Sequence, residues 1–219
     1  MNTIELILED NNKYFIKEAF NTLRTNILFS GKDVKAIALT SCFAHEGKST
    51  VALELSRSLA DAGKRVLLID ADLRKSVMAV RHTNERGICG LSQLLSGQID
   101  AQKAIYHTQI ERLDIVFSGP YPPNPAELVG QDAFKEFIAS ERDNYDYIII
   151  DAPPLGLVID AAIIAEVCDG TVIIVNKGTV KRRAAKEVID QIQKSGCKIL
   201  GVVLNQVDKR KTKYKSYNQ

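Results

Sequence analysis

The sequence has no apolar run approaching the roughly 18 residues that a membrane-spanning helix needs. Its start, MNTIELILEDNN, is acidic and lacks the basic-then-apolar order of an export signal. It also has no C-x-x-C pair. Cys42, Cys89, Cys168 and Cys197 are scattered and no histidines cluster near them, which excludes a disulfide frame and a zinc site and fits a reducing cytosol. An excess of either charge is missing too. With 29 basic and 27 acidic residues the net charge is +2, so no general case for nucleic acid as a partner arises. Repeats and low-complexity linkers are absent, and 219 residues suit one globular domain.

What the chain does have is short apolar runs. Residues 34–41, 65–70, 147–151, 171–176 and 199–205 read as strands, with 113–119 as a sixth. The runs are continuous rather than alternating, as expected where helices cover both faces. Helical patterns at 17–29, 48–62, 125–142, 160–167 and 181–195 separate them, which predicts an α/β fold with a doubly wound, mainly parallel sheet. Asp160 is expected to cap the helix after it, and Gly63 to stop the helix before it. Residues 76–110 are expected to form a looser insertion, with His82 and His107 at the surface. The division anticipated is an N-terminal segment and helix (1–33), a nucleotide-binding domain (34–206) and a basic tail (207–219).

Polar groups collect where the strands end, and open parallel sheets bind ligands beyond that edge. The string TSCFAHEGKST at 40–50 joins a strand to a helix, the setting that makes GK[ST] a phosphate cradle. Glu46, Gly47, Lys48, Ser49 and Thr50 are the candidate ATP-binding residues. Lys48 supplies a point charge for the outer phosphates, the helix start adds its positive end, and Ser49 can ligate magnesium. The first glycine of the usual pattern is replaced by Cys42, and taken alone the segment is also compatible with an ordinary turn carrying an exposed lysine. Asp70 and Asp72 end one strand, and in an extended chain a spacing of two turns both carboxylates to one side. Asp151 ends another, where Pro153 and Pro154 stop the strand. Each alone could simply cap a turn. Together at one edge they repel unless a cation intervenes, so Ser49, Asp70, Asp72 and Asp151 are the candidate Mg2+ ligands.

These three segments, EGKST, LLIDADLR and YIIIDAPPLGLVIDA, resemble the bacterial tyrosine kinases of P-loop type that act in capsule and exopolysaccharide assembly. EAFNTLRTNILF at 18–29 and GPYPPNPAELV at 119–129 extend the resemblance from about Tyr14 to Asp208. It implies a P-loop NTPase fold, ATP and Mg2+ as cofactors, and transfer of the γ-phosphoryl group to tyrosine hydroxyls. Lys48, Asp70, Asp72 and Asp151 are then the catalytic set, with Asp72 as proton acceptor. Arg74 either steadies the transferred charge or makes a structural salt bridge. Asn205 and Asp208 fall where related proteins meet the adenine, although a turn-forming role serves as well.

The resemblance further implies that tail tyrosines are phosphorylated, and Tyr214 and Tyr217 are the candidates, set among Lys209, Arg210, Lys211, Lys213 and Lys215. It implies self-association through Glu18 and Arg24 of the N-terminal helix, with a ring by analogy; Asn21 replaces a family arginine between them. The same helix could instead pack on its own domain through Phe20, Leu23 and Ile27. Ala44 and His45 stand where relatives often have Pro and Gly. The implied partner is a membrane-embedded activator that acts through its cytoplasmic segment, which places a cytoplasmic chain at the inner face of the membrane. Two alternatives stay open: a partitioning or positioning ATPase, and a nucleotide-gated scaffold without catalysis.

Overall fold

The computed structural model describes residues 2–8 and 14–207. Eight strands form one sheet. In chain order they are β1 (Asn2–Ile4), β2 (Ala36–Ser41), β3 (Val66–Asp70), β4 (Ile105–Thr108), β5 (Leu113–Val116), β6 (Tyr147–Asp151), β7 (Gly170–Asn176) and β8 (Ile199–Asn205). Across the sheet they run β1-β4-β5-β3-β6-β2-β7-β8. Every neighbouring pair is parallel except β4 with β5. The doubly wound, mainly parallel α/β fold expected from the sequence is the fold observed.

The helices are α1 (Tyr14–Leu28), α2 (Lys48–Asp61), α3 (Met78–His82), α4 (Leu91–Leu95), α5 (Ala101–Ala104), α6 (Pro125–Val129), α7 (Asp132–Glu141), α8 (Asp160–Ala165) and α9 (Arg182–Lys194). Alternation along the central strands divides two apolar cores. Ile37, Leu39, Val66, Leu68 and Ile149 face the layer built by α1 and α2, whereas Ala36, Ala38, Leu67, Ile69 and Ile150 face the layer of α6 to α9. Both faces being covered explains why these strands read as unbroken apolar runs. Burying each Leu or Ile contributes about 1.5–3 kcal/mol, so the centre of the sheet is a rigid floor for whatever sits at its edge.

α1 lies on α2. Ile27 is buried and Phe20 and Leu23 pack partly against the same core, while Arg24 Nη1 donates to the Ser58 carbonyl and hydroxyl, both at 3.0 Å. Gly63 ends α2 as expected, with φ of 82° and its amide donating to Ala60 O at 2.8 Å. Among the described residues no helix is long and apolar enough to cross a membrane.

Four expectations need correction. The stretch 76–110 is no loose insertion: it holds α3, α4, α5 and β4, and Met78 and Leu91 are fully buried. His82 is buried rather than at the surface, its Nδ1 bonded to Ile7 O at 2.9 Å while its own carbonyl accepts the Ile7 amide, so it anchors the N-terminal segment. The single helix expected at 125–142 is two, because Gln131 is extended (φ −75°, ψ 155°) and ends the helical run after Gly130. Asp160 is the first residue of α8 and makes no cap; its carboxylate is taken by Arg74.

Candidate active site

β2, β3 and β6 lie side by side and deliver their carboxyl ends to one place. Asp70 and Asp151 are direct partners in the β3–β6 register. α2 begins at the same edge, with Gly47 as its N-cap at φ 80°, a left-handed conformation that glycine adopts without strain. No side chain caps the helix start, so its first amides and positive dipole end are available to an anion. A side chain at position 47 has no room, since a Cβ there would lie 2.2 Å from Asn205 Nδ2.

Above this edge is a cleft of about 480 Å³. Its floor is the phosphate loop from Phe43 to Thr50. One wall follows β3 and carries Asp72, Arg74, Lys75, Val77 and Arg81; the other follows β6 and carries Pro153, Pro154, Leu157 and Val158. Lys48 reaches across the floor, its Nζ 2.5 Å from Asp151 Oδ1. Both partners are buried, which makes a strong charge-assisted bond.

The carboxylates differ in their surroundings. Asp70 is wholly buried, and burial together with the neighbouring negative charge of Asp151 pushes its pKa up to about 7 against a hydrogen bond from Ser76 Oγ. Burial also raises Asp151, opposed by the Lys48 ammonium. Asp72 stands beyond the strand end. Its Oδ1 accepts the amides of Arg74 at 3.2 Å and Lys75 at 3.0 Å, and its own amide donates to Asp70 Oδ1 at 3.3 Å. The extended spacing that was to turn Asp70 and Asp72 to one side therefore stops at Asp70. Among the described residues no three acidic, histidine or cysteine side chains gather into a ready metal cage.

A magnesium ion bound with phosphates needs no such cage; it takes one or two carboxylates and fills its sphere with phosphate and water oxygens. Asp151 Oδ2 fits that role. It is buried at the strand end and is not the oxygen that Lys48 holds, and Asp151 forms with Asp70 a carboxylate pair whose mutual repulsion a cation relieves. The residues present fit a magnesium nucleotide.

A family model described as an AAA domain matches residues 34–201. The tyrosine-protein kinase CpsD of Streptococcus agalactiae is 46% identical over 201 residues, covering 92% of this chain and 88% of that protein. The chain belongs to the bacterial tyrosine-protein kinase family. The solved chimerical protein CapA2B2 superposes with a TM-score of 0.86 at 34% identity, covering 95% of each chain. A septum site-determining MinD complexed with Mg-ADP, from Pyrococcus horikoshii, shares the architecture at a TM-score of 0.66 and 26% identity, covering 78% of this chain and 69% of that one.

Within this kinase fold the expected site residues take two roles. Glu46, Gly47, Lys48, Ser49, Thr50 and Asp72 line the cleft, with Asp70 and Asp151 at the sheet edge beneath. Glu46 and Asn205 brace the loop. Glu46 is buried, with Oε2 accepting the Phe43 amide at 2.8 Å and Oε1 the Asn176 amide at 3.1 Å, and Asn205 Nδ2 donates to Glu46 O at 2.9 Å. His45 takes φ of 64°, a left-handed backbone that glycine adopts more freely than histidine. Arg74 makes the salt bridge that was one of its two readings, to Asp160.

Glu18 is exposed on α1 and accepts from Asn21 Nδ2 at 3.0 Å, whereas Arg24 is half-buried on Ser58. Asp208, Tyr214 and Tyr217 lie outside the described residues. Sequence reasoning passed over Ser76 and Asn176. Ser76 has no motif of its own, though a hydroxyl six residues after an acidic strand end was visible; Asn176 ends β7 at the site edge just as Asn205 ends β8.

Proposed function

We propose that this chain transfers the γ-phosphoryl group of ATP to tyrosine hydroxyls, its own Tyr214 and Tyr217 included, and so regulates capsular or exopolysaccharide synthesis together with a membrane activator. The observation that carries this reading is the cleft itself: an uncapped helix start and Lys48 on the floor, a buried carboxylate pair beneath, and Asp72 on the wall.

The loop amides and Lys48 bind and orient the phosphates. Ser49 and Asp151 are the first candidates to hold magnesium, with Asp70 behind them, and that ion, when bound, neutralises charge building on the phosphates. Asp72 receives the tyrosine proton: alone of the three carboxylates it lines the cleft, and two backbone amides hold its Oδ1 in place. Little further chemistry is required, because phosphoryl transfer depends mainly on alignment and charge stabilisation.

We infer self-association through α1, with Glu18 the outward charge, and location at the inner membrane face through the activator. Transfer of label from γ-labelled ATP tests the whole reading, using the purified chain with and without an activator peptide and with Lys48→Met as control. Label on tyrosine supports the kinase; free phosphate alone supports a MinD-like ATPase; neither supports a scaffold.

A further inference from the structure

The two walls of the cleft follow neighbouring strands, β3 and β6, and are tied together just past the strand ends by Ala71 N, which donates to Asp151 O at 2.9 Å. At the base, the loop after β6 is pinned to the phosphate loop: Leu155 N donates to Ser41 O at 2.9 Å, and Gly156 lies so near Cys42 O that a Cβ would come within 2.1 Å. Higher up, Arg74 Nε and Nη2 grip Asp160 Oδ2 and Oδ1 at 2.8 and 3.0 Å. This is a two-pronged fork between one wall and the helix that closes the other.

Its chemistry is unusual for a surface loop. Asp160 is only 2% exposed, and the guanidinium supplies both hydrogen bonds its carboxylate makes. On the other side, the Arg74 amide is one of two that hold Asp72 Oδ1. The backbone of Arg74 thus fixes Asp72 while its side chain fixes Arg74.

We propose that the Arg74–Asp160 fork is a positioning device for phosphoryl transfer, setting the Asp72 carboxylate and the spacing of the two walls without touching substrate. It rests on the reading of Asp72 as proton acceptor. The guanidinium spends its Nε and Nη2 on Asp160. Lysine cannot replace it, because a single ammonium does not reproduce the planar fork.

The test uses the full chain, γ-labelled ATP and a glutamate–tyrosine copolymer as acceptor, with MgADP affinity measured by calorimetry. Asp160→Asn is expected to lower kcat on the order of 10- to 100-fold through misplacement of reacting groups. The KM for ATP and the MgADP affinity stay within about twofold, since the phosphate floor is untouched. Arg74→Gln with Asp160→Asn costs no more than Asp160→Asn alone, as one interaction cannot be lost twice. That double variant also leaves no buried charge unpaired, so it carries the test if Arg74→Gln alone fails to fold. Arg74→Lys does not restore the rate. An unchanged kcat in Asp160→Asn with only a lower melting temperature overturns the proposal. So does a loss confined to Arg74 variants, which makes the guanidinium act on substrate directly. Asp72→Asn separates the two layers: wild-type transfer in that variant removes the proton-acceptor reading and this inference with it, whereas its loss beside a fully active Asp160→Asn sinks the inference alone.

Discussion

Asp70 concentrates the electrostatic conflict of the site. Its pKa is about 7 against an ordinary 3.8, raised first by burial and then by Asp151. Between those values the folded chain keeps a proton that the unfolded chain has released, so this group's contribution to stability is full below pH 3.8 and is lost as pH rises through about 7. Asp70→Asn abolishes that slope. Its melting temperature should exceed that of the wild type by a margin that widens from pH 4 to 7 and is flat above. A bound cation favours the ionised form, so MgADP affinity in the wild type should fall as pH drops below about 7, with proton release on binding; calorimetry in two buffers of different ionisation enthalpy checks both. Lys48 is the counterpart. Lys48→Met leaves Asp151, 1% exposed, without its cation, and breaking a buried pair costs about 3–5 kcal/mol. Phosphoryl transfer should vanish and the apo melting temperature fall, while Lys48→Met with Asp151→Asn regains much of the stability and none of the activity. A single variant that melts like the wild type would show the pair to be unimportant for the fold. Lys48, Asp151 and Asp70 were legible in the sequence because GK[ST] and acidic strand ends are local signals. The roles of Glu46 and Asn205 were not, since their partners Phe43, Asn176 and Glu46 are set by how β7 and β8 close on the loop.

At the scale of elements, the central strands could be read directly because a sheet covered on both faces leaves unbroken apolar runs. β1 and β4 could not. They are three and four residues long, they lie toward one sheet edge, and the partly exposed, polar IYHT offers neither a run nor clean alternation. The break between α6 and α7 was hidden because apolar spacing continues through VGQDAF, and only the extended backbone of Gln131 interrupts it. The loop after β6 shows how tightly elements meet at the site. Gly156 touches the Cys42 carbonyl, backbone against backbone, so a methyl group there has no flexible neighbour to displace. Gly156→Ala should cost about 1–3 kcal/mol, as overpacking does. Because the phosphate loop is the surface that must retreat, MgADP affinity should fall together with the melting temperature. Loss of stability with full affinity would mean that the loop after β6 yields instead, and that the phosphate loop is the stiffer of the two.

For the whole molecule, the sheet places the end of β8 beside the catalytic edge, with Asn205 bonded to the phosphate loop. The tail that follows therefore starts at the active site. Tyr214 lies nine residues beyond Asn205, a reach of about 30 Å when extended, enough to enter the cleft of a neighbouring copy. The five basic residues around it hold the tail's charge positive, and each phosphate adds about 1.5 to 2 negative charges. Modification would offset most of that excess and weaken any attraction of the tail to acidic surfaces, anionic lipid included. Tyr214→Phe with Tyr217→Phe should therefore lose most autophosphorylation while binding MgADP as the wild type does. Intact mass of the expressed chain should show one or two phosphate increments that Lys48→Met lacks. Undiminished labelling of the double variant would move the acceptor into the folded domain, where Tyr14 and Tyr121 are the tyrosines that solvent reaches most freely, and would leave the basic tail with a purely electrostatic task.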